Sequence, residues 1–478
     1  MEQRIRPNIL WICTDQQRYD TIHALGHEAA KTPAIDWLVA NGAGFDGAYC
    51  QSPVCTPSRA SFLTGMYPSS VRGCVNGNDH WSEAAPIVTS LFAKTGYDCG
   101  LVGKLHLSAS HGRVERRPVN DGFRYFEWSH GPQDRWGDGN AYSRWLKTKG
   151  TTIEELTRTG RPIPAEFHHT RWCAEKSIEF IGENHQGKPW LLCMNTFDPH
   201  MPFDPPEEYL SHFNPEEMPE PAFRESDLAE QRLLSDVDFQ TRPKTPEELR
   251  ARELRAAYLA MIELIDHEVG RVVDFLRSQR ELENTLVLFM SDHGEMLGDH
   301  GLLLKGCRFY EGLVRVPLVF SHPDIAAANP DVHGALVELT DVAPTLLDFA
   351  GIEKPSQMQG RSLLPVLTGR LPGAEHRQSV RCEYYSALNP RRPHVSELIE
   401  RNDLRGSRAT MIRDRRYKLS VYHGIDHGEL YDLETDPCEY VNLWDDPAFL
   451  AIKCRLMKLS FDQMADAIDL GPEQVALY

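Results

Sequence analysis

Short apolar runs, each ending on a polar or charged residue, recur along this chain and are separated by longer amphipathic stretches. Asn8-Ile-Leu-Trp-Ile-Cys-Thr14, followed by Asp15, is the clearest. It has no polar alternation, so as a strand it must be buried on both faces, which requires helices on both sides of its sheet. Gly100 to Leu105, Trp190 to Phe197, Thr285 to Met290 and Val316 to Ser321 read as further strands. Pro33 to Asn41, stopped by Gly42, reads as a helix. So does the longest helical pattern, Pro246 to Arg280, with Leu254, Tyr258, Met261, Leu264 and Ile265 on one face. The alternation predicts an α/β fold with a large, mostly parallel sheet sandwiched by helices.

In an open parallel sheet, ligands gather beyond the carboxyl ends of the strands. Asp15 follows the first strand, His200 the Trp190 strand, and Asp292 with His293 the Thr285 strand. Three distant regions therefore aim polar residues at one edge. The stretch from Ser108 to Arg161, irregular and rich in Gly, Trp, Tyr and His, is long for a connection and is expected to shape a pocket, with Trp128, His130, Trp136 and Tyr142 as lining candidates.

At 478 residues the chain exceeds a single core, and the texture changes past Pro372. Residues 1–375 are expected to form the large α/β unit, and 376–478 a smaller α+β unit. The latter should hold strands at Ser379 to Tyr385, Arg408 to Arg413 and Tyr417 to Tyr422, and a helical end from Pro447 to Tyr478. With 51 Lys and Arg against 69 Asp and Glu, the formal charge is −18, which disfavours nucleic acid as a partner. No apolar run is long enough to span a bilayer, so no membrane partner is expected. The first strand begins too near Met1 for a secretory leader, and eleven cysteines without paired spacing fit reduced thiols. A cytoplasmic location is the expectation; homo-oligomerisation is left open.

Pro53 to Gly65 reads P-V-C-T-P-S-R-A-S-F-L-T-G. On local rules this is a helix start, with Thr56 as cap and Pro57 at the first helical position. It also resembles the C-x-P-S-R maturation sequence of type I sulfatases, members of the alkaline phosphatase superfamily. In that family the cysteine becomes Cα-formylglycine, whose hydrate is the catalytic nucleophile. The resemblance runs from Asn8 to about Leu443 and implies an alkaline-phosphatase-like fold, a formylglycine at Cys55, a formylglycine-generating partner enzyme and one divalent cation. Calcium leads for that ion, with manganese or magnesium as alternatives.

The resemblance also implies roles residue by residue. Asp15 and Gln16 match the first metal motif, where many sulfatases carry two aspartates; the neutral Gln16 lowers the charge. Asp292 and His293 match the second, and with Cys55 complete the metal set. An imidazole is similar to phosphonate monoester hydrolases and choline sulfatases, and suits manganese better than calcium. Gly103-Lys104-Leu105-His106 resembles the G-K-x-H motif. Read as a strand, it puts Lys104 and His106 on one face toward one anion. Lys104, Lys305 and Asn76 are the expected substrate contacts. Arg59 orients the nucleophile, and His106 or His200 assists the leaving alcohol.

The expected activity is hydrolysis of a sulfate monoester of a small molecule or saccharide. A phosphonate monoester or phosphodiester hydrolase using the same formylglycine is the alternative that His293 supports. A noncatalytic binding protein would leave too many of these positions idle.

Overall fold

In a computed structural model of the chain, the first apolar run is strand β1 (Asn8–Thr14), buried along its whole length. The structure describes residues 6–83, 85–110, 114–132, 134–234, 240–385, 408–424 and 426–468. The large sheet adds β2 (Gly42–Tyr49), β3 (Asp98–Gly103), β4 (Phe123–Trp128), β5 (Trp190–Asn195), β6 (Thr285–Ser291), β7 (Leu318–Ser321) and β8 (Asp331–Glu338). Their spatial order is β4-β3-β5-β1-β6-β7-β2-β8. All run parallel except β7, which is antiparallel to both of its neighbours.

Alternate residues of β1 feed two cores. Ile9, Trp11 and Cys13 pack with Phe62, Phe92 and Val342 on one face, while Leu10 and Ile12 pack with Leu38, Trp172 and Val269 on the other. Helices α1 (Pro33–Ala40), His169–Ile181 and Ala251–Ser278 thus cover one side, and α2 (Cys55–Thr64), Val88–Lys94 and Val342–Phe349 the other. This is the α/β sandwich that the two-sided burial of β1 demands.

A second sheet is antiparallel, in the order β12 (Gly428–Asp432), β11 (Tyr417–Tyr422), β10 (Ala409–Arg413), β9 (Val380–Tyr384). Val380, Cys382, Met411 and Tyr422 join the main core, while Ile412, Leu419 and Leu430 pack with Leu456 of the helix Leu450–Asp466. Residues 469–478 of the expected helical end lie outside the described residues. Among the described residues no helix is long and apolar enough to cross a membrane.

Several elements differ from expectation. The 246–280 helix is two, Pro246–Leu249 and Ala251–Ser278, because Arg250 between them is left-handed at φ 53°. The capping box of Thr245 with Glu248 closes the short first turn on itself. Helix α2 starts at Cys55 with Val54 before it, so Thr56 is not its cap. Strand β3 stops at Gly103, so Lys104 and His106 are not strand neighbours; His106 is left-handed at φ 56°.

Candidate active site

The carboxyl ends of β3, β5, β1 and β6, four adjacent strands, deliver Lys104, His200, Asp15 and Asp292 to one edge. Strand β2 ends on the same side, and its connection leads into α2, so Cys55 sits at the first position of that helix. There the backbone N–H groups and the helix dipole favour negative charge. All ten residues of α2 are buried, and its Ser58 and Arg59 side chains bond into the site. Ser58 donates to the Asp292 carbonyl at 2.5 Å. Arg59 donates through Nε to Asp292 Oδ2 at 2.9 Å, through one terminal nitrogen to Asp15 Oδ2 at 3.3 Å, and through the other to the Lys104 carbonyl at 2.9 Å.

Asp15, Cys55, Asp292 and His293 each offer a ligand atom, and these atoms all lie within 4.8 Å of one another. That span matches one ion, since two donors at about 2.0–2.5 Å from a shared centre lie at most about 4–5 Å apart. The Gly294 carbonyl, 2.9 Å from His293 Nδ1, can only accept, so Nδ1 carries a proton and Nε2, 3.2 Å from Cys55 Sγ, is the ring nitrogen that a cation would take in place of a proton. Gln16 Oε1 is buried and has no hydrogen-bond partner. Two carboxylates and an imidazole within reach of one ion, with the orphaned amide oxygen of the residue next to Asp15, suit a divalent cation.

Charge follows the same logic. Burial would raise the Asp15 carboxyl, but Lys104, Lys305 and Arg59 outweigh it and hold it well below the usual range. Burial and Asp15 push the Cys55 thiol up, but Lys104 at 3.6 Å and Lys305 at 2.8 Å from its sulfur, with His293, bring it to about 7. Burial lowers His293, yet Asp292 and Cys55 carry it up to about 9, so a positive charge is wanted at that point. His106 and His200 go the other way. Burial first, then Lys104 for His106 and Lys305 for His200, press both well below the usual histidine value, and they stay neutral.

Asp15, Arg59, Lys104, Asp292, His293 and Lys305 gather around Cys55, and Gln16 joins them through its backbone bond to Asp292. His200 Nδ1 donates to the Met201 carbonyl at 2.8 Å, which leaves Nε2 with a lone pair. Asn76 Oδ1 accepts the Thr56 backbone N–H at 2.7 Å, which ties it to the first turn of the Cys55 helix. Of the pocket candidates, His130 stands against His106 with ring centroids 4.4 Å apart. Tyr142 is instead core, packed against Trp145, His169 and Trp172. Trp128 is buried and donates to Glu115 at 3.1 Å, and the side chain of Trp136 lies outside the described residues.

Glu115 was invisible in the sequence. Its buried carboxylate accepts the backbone N–H groups of His106 at 2.7 Å, Leu107, and Ser108 at 3.0 Å, and thereby sets the left-handed turn that carries His106. It stands in a run of charged residues, where glutamate signals solvent rather than a buried acceptor.

A family model described as sulfatase matches residues 7–352, and one described as the C-terminal part of N-sulphoglucosamine sulphohydrolase matches residues 298–466. The chain is 33% identical over 386 residues to an arylsulfatase of Clostridium perfringens, covering 77% of this chain and 79% of that protein. It is 31% identical over 460 residues to the choline-sulfatase of Rhizobium meliloti, covering 92% and 83%. The crystal structure of a phosphonate monoester hydrolase of Agrobacterium radiobacter matches with a TM-score of 0.83 at 25% identity, over 97% of this chain and 96% of that one.

Proposed function

This chain belongs to the sulfatase family of sulfuric ester hydrolases, and we propose that it cleaves the sulfate monoester of a small organic alcohol or a saccharide with a formylglycine made from Cys55. The observation that carries this reading is the position of Cys55: first residue of a buried helix, in reach of Asp15, Asp292 and His293, and under two lysine ammonium groups. Its sulfur stands where the hydroxyl oxygens of the hydrated aldehyde would be. That hydrate has two hydroxyls on one carbon, one to attack sulfur and one whose deprotonation expels sulfate by C–O cleavage and restores the aldehyde.

Asp15, Asp292 and His293, with Gln16 Oε1, would hold the cation; calcium is the first choice, manganese the alternative that the imidazole favours, and magnesium a further one. When bound, it supplies Lewis acidity that makes the attacking hydroxyl a better nucleophile and offsets sulfuryl charge. Lys104 and Lys305 face the same point and bind the sulfuryl oxygens. Arg59, engaged by both carboxylates, keeps the edge rigid and is no acid, since guanidinium holds its protons. His200 is neutral with Nε2 open, so it can accept a proton at that atom and return it to the departing alkoxide. His106 is neutral with Nδ1 buried and unpartnered, and is the second candidate for that transfer.

The reading requires an oxidising, formylglycine-generating enzyme as partner. We place the protein in the cytoplasm, a reading supported by eleven cysteines that are all unbridged. Two measurements on the full chain, produced with that partner enzyme, test the proposal. Mass spectrometry of the peptide around Cys55 should show aldehyde in place of thiol, and kcat/KM should be higher for an aryl sulfate than for the matched phenylphosphonate ester. Turnover by a preparation whose Cys55 is still a thiol would refute the nucleophile. A preference for the phosphonate ester would move the enzyme to the phosphonate monoester hydrolase reading, which the Agrobacterium neighbour and His293 favour.

A further inference from the structure

Gln16 is the most constrained residue at the carboxyl edge. It is fully buried and left-handed at φ 69°, a conformation that costs a non-glycine residue energy and persists only where its surroundings impose it. Its backbone N–H donates to Asp292 Oδ1 at 3.0 Å, and its carbonyl accepts the Tyr258 hydroxyl at 2.5 Å. Its side chain divides: Nε2 donates to Glu295 Oε2, while Oε1 has no partner. Glu295 is itself fully buried, and its other oxygen accepts the N–H groups of Leu297 at 3.0 Å and of Leu304. With both oxygens committed to donors, Glu295 fixes which end of the Gln16 amide points away from it.

We propose that Glu295 is a positioning residue of the cation site: it holds Gln16 so that Oε1 faces the ion, and its charge behind the amide strengthens that oxygen as a donor. The inference rests on the reading that Asp15, Cys55, Asp292 and His293 bind a cation. The physics is that of a carboxylate behind a metal-ligating histidine, which fixes orientation and raises ligand basicity. An amide polarised at N–H by a carboxylate gains negative charge at its oxygen.

Two amide-for-acid exchanges of nearly equal volume test this without reference to turnover. Glu295→Gln keeps an oxygen for Leu297 and Leu304 but presents NH2 to Gln16 Nε2; two donors then face each other, and the Gln16 amide turns its NH2 toward the ion. Combining it with Gln16→Glu moves the carboxylate inward and restores a donor–acceptor pair. The full chain is matured, stripped with chelator, and titrated with Mn2+ and separately with Ca2+ by calorimetry; metal-free melting temperatures are recorded alongside. Glu295→Gln should weaken ion binding about 10–100-fold, with a metal-free melting temperature close to native. The double variant should recover binding to within about threefold of native or tighter. Binding by Glu295→Gln within about twofold of native, or no recovery in the double variant, overturns the proposal. Failure of the native chain to bind either ion overturns the cation reading as well, so the two failures are distinct.

Discussion

Replacing Glu115 by Gln should loosen the turn that carries His106 while leaving the rest of the fold in place. The carboxylate serves four donors in two pairs: His106 N–H at 2.7 Å with Trp128 Nε1 at 3.1 Å on one oxygen, and Leu107 N–H with Ser108 N–H at 3.0 Å on the other. An amide has one accepting oxygen, so one pair must face an NH2. Trp128 is 2% exposed and cannot swing to water. Each buried N–H left unsatisfied costs about 1–3 kcal/mol, so the pair costs about 2–6 kcal/mol. Much of that falls on local opening of the turn rather than on global unfolding. Hydrogen exchange of the peptide spanning residues 104–110 reports it directly: at the lower bound, the amides of His106, Leu107 and Ser108 should exchange roughly 30-fold faster. Because His106 moves with the turn, kcat/KM for an aryl sulfate should fall at least about tenfold. Exchange and kcat/KM both within about twofold of native would show that this carboxylate does not set the turn.

Cys55→Ser removes the second hydroxyl of the hydrate, so it should release about one equivalent of alcohol and then stall with a sulfated serine at position 55. Sustained turnover in a quench-flow experiment, with no sulfated peptide by mass spectrometry, would contradict this. His200→Ala should lower kcat by about 10²–10⁴-fold for an alkyl sulfate and much less for a nitrophenyl sulfate, whose anion leaves unaided; equal losses would remove His200 from proton transfer. Burial and Glu311 push Glu439 up to about 7 against the pull of Lys418, in the network of Glu311, Lys418 and Arg413 that ties the second sheet to the main one. With the folded value raised above the unfolded one, the contribution of Glu439 is complete below about pH 4.5 and is lost as pH rises through about 7. The melting temperature should therefore fall more steeply between pH 5 and 8 for native protein than for Glu439→Gln, and parallel curves would exclude Glu439 as the cause.

The strands β1, β5 and β6 were legible as short, near-continuous apolar runs, and β9 and β11 as alternating ones rich in β-branched and aromatic residues. β1 and β11 lie where expected, and β5, β6 and β9 differ only at their ends. Strand β2, with the sequence G-A-G-F-D-G-A-Y, was missed because it reads as a turn-rich linker. Its glycines are demanded by neighbours instead: a Cβ at Gly42 would strike the Phe320 carbonyl of β7, and one at Gly47 the Ala335 carbonyl of β8. Strand β4 was hidden inside a stretch read as irregular, and β8 behind its central His333 and Gly334. In the site, Asp15, Cys55, Asp292 and His293 were legible because their chemistry is carried by short motifs. Glu115, and the roles of Glu295 and Tyr258, were not, because a positioning residue is defined by its partner, and Tyr258 meets Gln16 across 242 positions of sequence.

Cys55 is 1% exposed, and its walls come from opposite ends of the synthesis: Asp15 precedes it, whereas Asp292, His293 and Lys305 follow it by well over two hundred residues. A growing chain on the ribosome therefore cannot complete the wall around position 55 until β6 and the residues after it have been made. Any macromolecule that must handle that side chain has this interval in which to do so, and the arrival of β6 closes it. The distance along the sequence between the two halves of the pocket thus makes closure of this site a late event in the assembly of the chain.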